Sequence, residues 1–240
     1  MGELTLPSDG GAPWPVAVLI HGGFWRARYS RRLEDPLVGD LAGRGWAVWN
    51  LEYRRIGWRS RGGWPETFDD VAAGIDRLGA LDEPLDLARV VAVGHSAGGH
   101  LAFWAAARRG MAAGAPGAEP RVRVAAAVAQ AGVVDLREAA RLRLSRDVVR
   151  TLLRGPPGKV PKRYDAASPI EQLPLGVPQL LVHGEADDVV PISIARGYAE
   201  RAAEAGDPCR FVALAGVGHM EHLDPSSTAW RAVTDWLEEQ

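Results

Sequence analysis

The pentapeptide Gly94-His95-Ser96-Ala97-Gly98 places a glycine two residues to either side of a serine. It follows the apolar run Val90-Val91-Ala92-Val93 and leads into a stretch of helical periodicity that starts at Ala97. A strand turning sharply into a helix at a serine thrusts the hydroxyl out at the sheet edge, and the glycines leave room for that strained turn. The helix behind it aims its first backbone N–H groups at developing negative charge. Ser96 is therefore the expected nucleophile; the plainer alternative is a tight turn with a capping serine.

Such a serine needs a base, and an acid that orients the base; in a strand–turn–helix setting these follow in the order Asp/Glu, then His. Three histidines lie downstream, at 183, 219 and 222. His219 closes the glycine-rich Ala215-Gly216-Val217-Gly218-His219 after an apolar run, where a base can hang over the nucleophile, so His219 is the expected base. His222 is expected behind it or at the surface, and His183, at a strand end, to be buried and hydrogen-bonded. The segment from Glu185 to Pro191 offers Glu185, Asp187 and Asp188; Asp187 is the expected acid, with Asp188 next. Asp135 is a weaker candidate to approach the triad. His21-Gly22-Gly23-Phe24-Trp25 follows the first central apolar run, and its glycine pair lets backbone amides approach a carbonyl oxygen. The expected oxyanion donors are Ala97 and one of Gly23 or Phe24. Trp25, Trp58 and Trp64 are expected to contact substrate, the last two from a loop shared with Tyr53, Arg54, Arg55, Arg59 and Arg61; taken by itself that loop reads more readily as a solvated one anchored by its two tryptophans.

The elements that must position these groups alternate along the chain. Apolar runs at residues 16–20, 46–51, 90–94, 122–129, 179–182 and 210–214 read as buried parallel strands, because both faces of each are apolar. Residues 3–6 can add a short edge strand. Helical periodicity fills residues 33–44, 68–81, 97–109, 192–205 and 226–238, with Gly45 and Gly206 as stops and Ser226 or Ser227 as a cap. This predicts an α/β chain, a mostly parallel doubly wound sheet flanked by helices. We expect one domain over residues 1–240, with residues 136–177 as a partial lid.

Composition narrows the partners. With 28 basic and 30 acidic residues the formal charge is -2, which leaves no basic excess for nucleic acid or an anionic membrane. No apolar run approaches the ~18 residues of a membrane span. Cys209 is the only cysteine, so neither an intrachain disulfide nor a Cys-based zinc site is expected. No signal peptide reads at the N-terminus, and a cytoplasmic location is expected. No P-loop, dinucleotide fingerprint or metal-spaced His/Asp cluster occurs, so no cofactor and no metal are expected. Oligomeric state does not follow from the sequence.

Taken together, His21 to Trp25, Gly94 to Ala102, His183 to Pro191 and Gly216 to His219 resemble the α/β-hydrolase fold. His-Gly-Gly-Phe-Trp and Gly-His-Ser-Ala-Gly-Gly-His-Leu-Ala are similar to the serine-esterase branch near arylformamidases (kynurenine formamidases) and hormone-sensitive-lipase-type esterases, over about residues 3–238. The resemblance implies a metal-free Ser-His-Asp hydrolase acting on small esters or amides. The chain departs from it in two places. About two strands precede the one ending at His21 in the full fold, whereas here there is room for one, so the sheet is expected to be shortened at its N-terminal edge. Phe24-Trp25 replaces the third glycine of the lipase branch, and a bulky Phe narrows the acyl side. The leading expectation is a carboxylesterase working through an acyl-enzyme on Ser96. An arylformamidase-like amidase of the N-formylkynurenine type is the alternative, and a non-catalytic hydrolase-fold binding protein stands third.

Overall fold

Each central strand divides its side chains between two cores. Along β2 (Trp14–Ile20), Val16, Val18 and Ile20 enter one apolar cluster, while Ala17 and Leu19 enter the other. That is the period-2 consequence of a pleated strand covered on both faces. The computed structural model describes residues 2–8 and 11–240. Its sheet has seven strands in the order β1-β3-β2-β4-β5-β6-β7. The others are β1 (Gly2–Thr5), β3 (Ala47–Leu51), β4 (Leu85–His95), β5 (Ala126–Gln130), β6 (Gln179–Gly184) and β7 (Cys209–Leu214). All pairings are parallel except β1 with β3, so the mostly parallel sheet expected from the sequence is observed, with a single short antiparallel strand ahead of β2.

Helices cover both faces. α1 (Asp35–Gly43) and, at the end of the chain, α8 (Thr228–Leu237) bury Leu37, Leu41, Trp230 and Val233 against one side. α2 (Glu66–Asp76), α3 (Ala97–Ala107) and α7 (Ile192–Glu204) pack on the other. Ser227 caps α8, its hydroxyl accepting from Trp230 N at 3.0 Å. All eleven residues of α3 are buried, as befits a helix that is apolar all round. It can lie so close to the sheet because of its glycines. A Cβ on Gly98 would collide with Ile20 O, and one on Gly94 with Gly98 O.

Between β5 and β6 stand α4 (Leu136–Arg141), α5 (Leu144–Leu152) and α6 (Pro161–Ala167). The sequence suggests one helix over 136–153; the chain breaks there, with positive φ at Arg143 and at Ser145, Arg146 and Asp147. These helices are tied to the α3 side of the sheet. Trp104 Nε1 donates to Ala166 O at 3.1 Å, His100 Nε2 lies 2.9 Å from Ala167 O, and Trp64 N donates to Leu152 O at 2.8 Å.

The strand expected over 122–129 begins only at Ala126. Val122 and Val124 are buried, but Asp76 captures the backbone instead, accepting from Arg121 N and Val122 N at 3.1 and 3.2 Å while it pairs with Arg108 at 2.8 Å. Apolar content marks burial there; the available hydrogen-bond partner decides the conformation. No helix among the described residues is long and apolar enough to cross a membrane.

Candidate active site

Ser96 sits between the last residue of β4 and the first of α3 with φ 55° and ψ −115°. A side chain at positive φ costs roughly 1–2 kcal/mol, and the turn is held by neighbours. Ser96 N donates to Gln130 O at 2.7 Å, and Ser96 O accepts from His100 N at 3.2 Å and Val133 N at 3.3 Å. The residue is 1% exposed.

The carboxylate of Asp187, on the loop after β6, is fully enclosed. Oδ1 accepts from Val189 N and Val190 N at 2.9 and 2.8 Å. Oδ2 lies 2.8 Å from His219 Nδ1 and 3.2 Å from His183 Nε2. Burial alone would raise its pKa, but donation from His183, His219 and the Val190 amide outweighs that and holds the group well below the usual carboxylate range. A carboxylate acceptor requires the proton on Nδ1 of a neutral His219, which leaves Nε2 free to accept. His219 is 8% exposed, on the loop after β7.

The other candidates fall into different roles. His222 is fully buried, neither ring nitrogen has a partner, and burial pushes it down to about 3. Asp188 and Glu185 point to solvent. Asp135 caps α4, accepting from Glu138 N at 2.9 Å. His183 Nε2 lies 2.9 Å from Val190 O, so its N–H is shared between that carbonyl and Asp187. The sequence foresaw a buried, hydrogen-bonded His183 but not its carboxylate partner, which only the folding back of the 185–190 loop creates.

The loop after β2 runs through three consecutive positive φ angles, 99° at Gly23, 52° at Phe24 and 55° at Trp25. Only the first is free of strain. The loop rests directly on the Ser96 turn, since a Cβ on Gly22 would stand 2.8 Å from His95 O and 3.2 Å from Ser96 Cβ. Among the described residues, the amides of Gly23, Phe24 and Ala97 donate to no protein acceptor. His21 anchors the loop's start: its ring stacks on Tyr53 at 4.3 Å, its Nε2 lies 3.0 Å from Glu52 Oε1, and Tyr53 Oη donates to its carbonyl at 2.7 Å.

Trp25, expected at the substrate, is instead fully buried behind the loop, its indole N–H donating to His100 Nδ1 at 3.3 Å. The loop's left-handed path turns that side chain inward, so it supports the Gly22-Gly23-Phe24 segment from beneath. Trp64 is half-buried and packs edge-on against Phe68 at 5.0 Å. Trp58 alone of the three is open, 87% exposed, with the Arg59 guanidinium 4.8 Å from its ring. Among the described residues, no group of three or more His, Cys, Asp or Glu side chains is placed to hold a metal ion.

Residues 3–201 match the protein family described as BD-FAE. A probable carboxylic ester hydrolase of Mycobacterium tuberculosis, LipM, is 31% identical over 194 residues, covering 78% of this chain and 44% of its own. The chain spans about half the length of the curated relatives it matches. Among solved structures, a truncated carbohydrate esterase from gut microbiota superposes with a TM-score of 0.84 at 23% identity, over 98% of this chain and 89% of that one. A butyrate-bound thermophilic esterase, Est2 of Thermogutta terrifontis, superposes with a TM-score of 0.78 at 25% identity, over 99% and 87%.

Proposed function

The chain belongs to the BD-FAE family of α/β-hydrolase esterases, and from that premise we propose that it is a serine carboxylesterase cleaving small carboxylic esters through an acyl-enzyme on Ser96. The observation that carries the reading is the 2.8 Å contact between Asp187 and His219 Nδ1, on a loop whose His219 carbonyl lies 2.8 Å from the ring of His95, the residue before Ser96. His219 Nε2 takes the Ser96 proton as the oxygen attacks the ester carbonyl. Asp187 keeps the tautomer and stabilises the imidazolium. The amides of Ala97 and of Gly23 or Phe24 receive the oxyanion. His219 then protonates the departing alkoxide, and water, activated by the same ring, releases the acid.

The near-complete burial of Ser96, only 1% exposed, supports short acyl groups. A p-nitrophenyl ester series from acetate to decanoate, with and without a serine-directed fluorophosphonate, tests this. Inhibitable turnover peaking at the shortest chains is the expected result; a peak at decanoate overturns the small acyl site, and no labelling of Ser96 overturns the nucleophile. The loop His21-Gly22-Gly23-Phe24-Trp25 also favours an arylformamidase-like reaction, and faster cleavage of N-formylkynurenine than of the acetate ester would replace the ester reading with it.

Trp58 is the aromatic with surface to offer a leaving group, and residues 136–177 are proposed to cover the site in part. Trp58→Ala is expected to raise KM roughly fivefold, equivalent to about 1 kcal/mol, with kcat unchanged. Initial-rate kinetics check this, and an unchanged KM removes Trp58 from the site.

A further inference from the structure

His95 fills the variable position before the nucleophile, where the strand–turn–helix chemistry asks for no particular side chain. It is nevertheless 2% exposed and committed on several sides. Its Nε2–H donates to the backbone carbonyl of His219 at 2.8 Å, and the two rings lie 4.6 Å apart. A Cβ on Gly22 would stand 3.0 Å from its Nδ1, so the same ring abuts the oxyanion loop. Its own backbone continues into Ser96. Nucleophile turn, base loop and oxyanion loop thus meet at one imidazole.

We propose that His95 is a positioning residue that holds the His219 loop and the Gly22-Gly23 loop in register with Ser96. This rests on the serine-hydrolase reading above. The chemistry of the place explains the residue type. A carbonyl only accepts, so Nε2 must carry the proton. The group that donates there lies against a ring that becomes cationic in every turnover, so a donor without charge is needed. Burial first, then the neighbouring His219 and His222, keep His95 far below its ordinary titration range, and the imidazole stays neutral. Lysine or arginine would reach the carbonyl only by setting a second cation beside the imidazolium.

The test compares His95→Leu, which keeps apolar volume and removes the donor, with His95→Gln, which restores a neutral N–H near the same point. Steady-state kinetics on a short ester and the rate of fluorophosphonate labelling are read beside the melting temperature. His95→Leu is expected to lower kcat and the labelling rate by about tenfold to a hundredfold, with KM within about twofold. His95→Gln is expected to recover most of that loss. A His95→Leu enzyme at wild-type kcat overturns the proposal, as does a His95→Gln enzyme as slow as the Leu variant while equally stable. The wild-type protein supplies a reading that needs no variant. With 15N-labelled histidine, NMR is expected to find His95 in the Nε2–H tautomer, and an Nδ1–H tautomer overturns the brace. Failure of wild-type Ser96 to take the label would instead bring down the nucleophile reading, and the brace with it, so the two failures are told apart on unaltered protein.

Discussion

Ser96→Ala is expected to lower kcat on a short ester by roughly 10⁶-fold while leaving the melting temperature within a few degrees. In the proposed mechanism the hydroxyl is the group whose loss removes the acyl-enzyme outright, and alanine meets no new contact in a turn whose backbone is held by Gln130 O, His100 N and Val133 N. His219→Ala should cost about as much, and the double variant little more, because the two act as a unit. Asp187→Asn isolates the third member. Oδ1 is fixed by the amides of Val189 and Val190, so asparagine must place its oxygen there and its NH₂ where Oδ2 stood. That NH₂ then faces His219 Nδ1 and His183 Nε2, both donors in the wild type. His219 relieves the clash by moving its proton to Nε2, which leaves it unable to accept from serine. A drop in kcat of about 10⁴-fold with a native fold follows. Single-turnover rates, with circular dichroism and thermal melts as the fold control, check all three. Retention of activity within tenfold in Ser96→Ala removes the nucleophile assignment.

Much of this arrangement is written locally. Gly94 and Gly98 stand where α3 crosses β2 and β4 with no space for a Cβ, and a glycine–serine–glycine spacing between an apolar strand and a helix says so in sequence. The same holds for the parallel strands, because two covered faces demand apolar residues at odd and even positions alike. What the sequence could not announce depends on long-range closure. Asp76 caps the segment at Val122 from another helix, so two buried valines there belong to no strand. Trp25 looks like a pocket aromatic beside Phe24, but three left-handed residues in a row turn it into the core. Contacts such as His95 to His219 O and His183 to Asp187 join residues 124 and 4 apart, and in both cases only the fold shows which acceptor a buried histidine meets.

Glu34 carries the second large effect, on stability. It ends a short 3-10 turn (Arg31–Glu34) ahead of α1, is fully buried, and neither carboxylate oxygen has a hydrogen-bond partner. Burial, reinforced by the neighbouring Asp35, pushes its pKa up from the ordinary 4.5 to about 8. The group is therefore protonated in the folded chain at pH 7 and ionised in the unfolded one. Below pH 4.5 both states hold the proton and Glu34 costs nothing in this respect. As pH rises from 4.5 to 8, only the unfolded chain releases it, so stability falls by about 1.4 kcal/mol per pH unit and levels off above 8. Between pH 5 and pH 8 the loss amounts to about 3–4 kcal/mol, or roughly 6–16 °C in melting temperature for a chain of this size. Glu34→Gln keeps the shape and removes the titration. Its melting temperature should therefore gain on the wild type steadily across that window, and the curves should run parallel above it. Parallel curves from pH 5 to pH 8 would show that Glu34 reaches water or a donor. The ionisation reaches further, because the Glu34 charge acts on Tyr53, whose hydroxyl holds the His21 carbonyl at the start of the loop after β2. Loss of stability at alkaline pH should accordingly start where β2 meets that loop, and hydrogen exchange at Ile20 to Gly23 should quicken there before it does in α8.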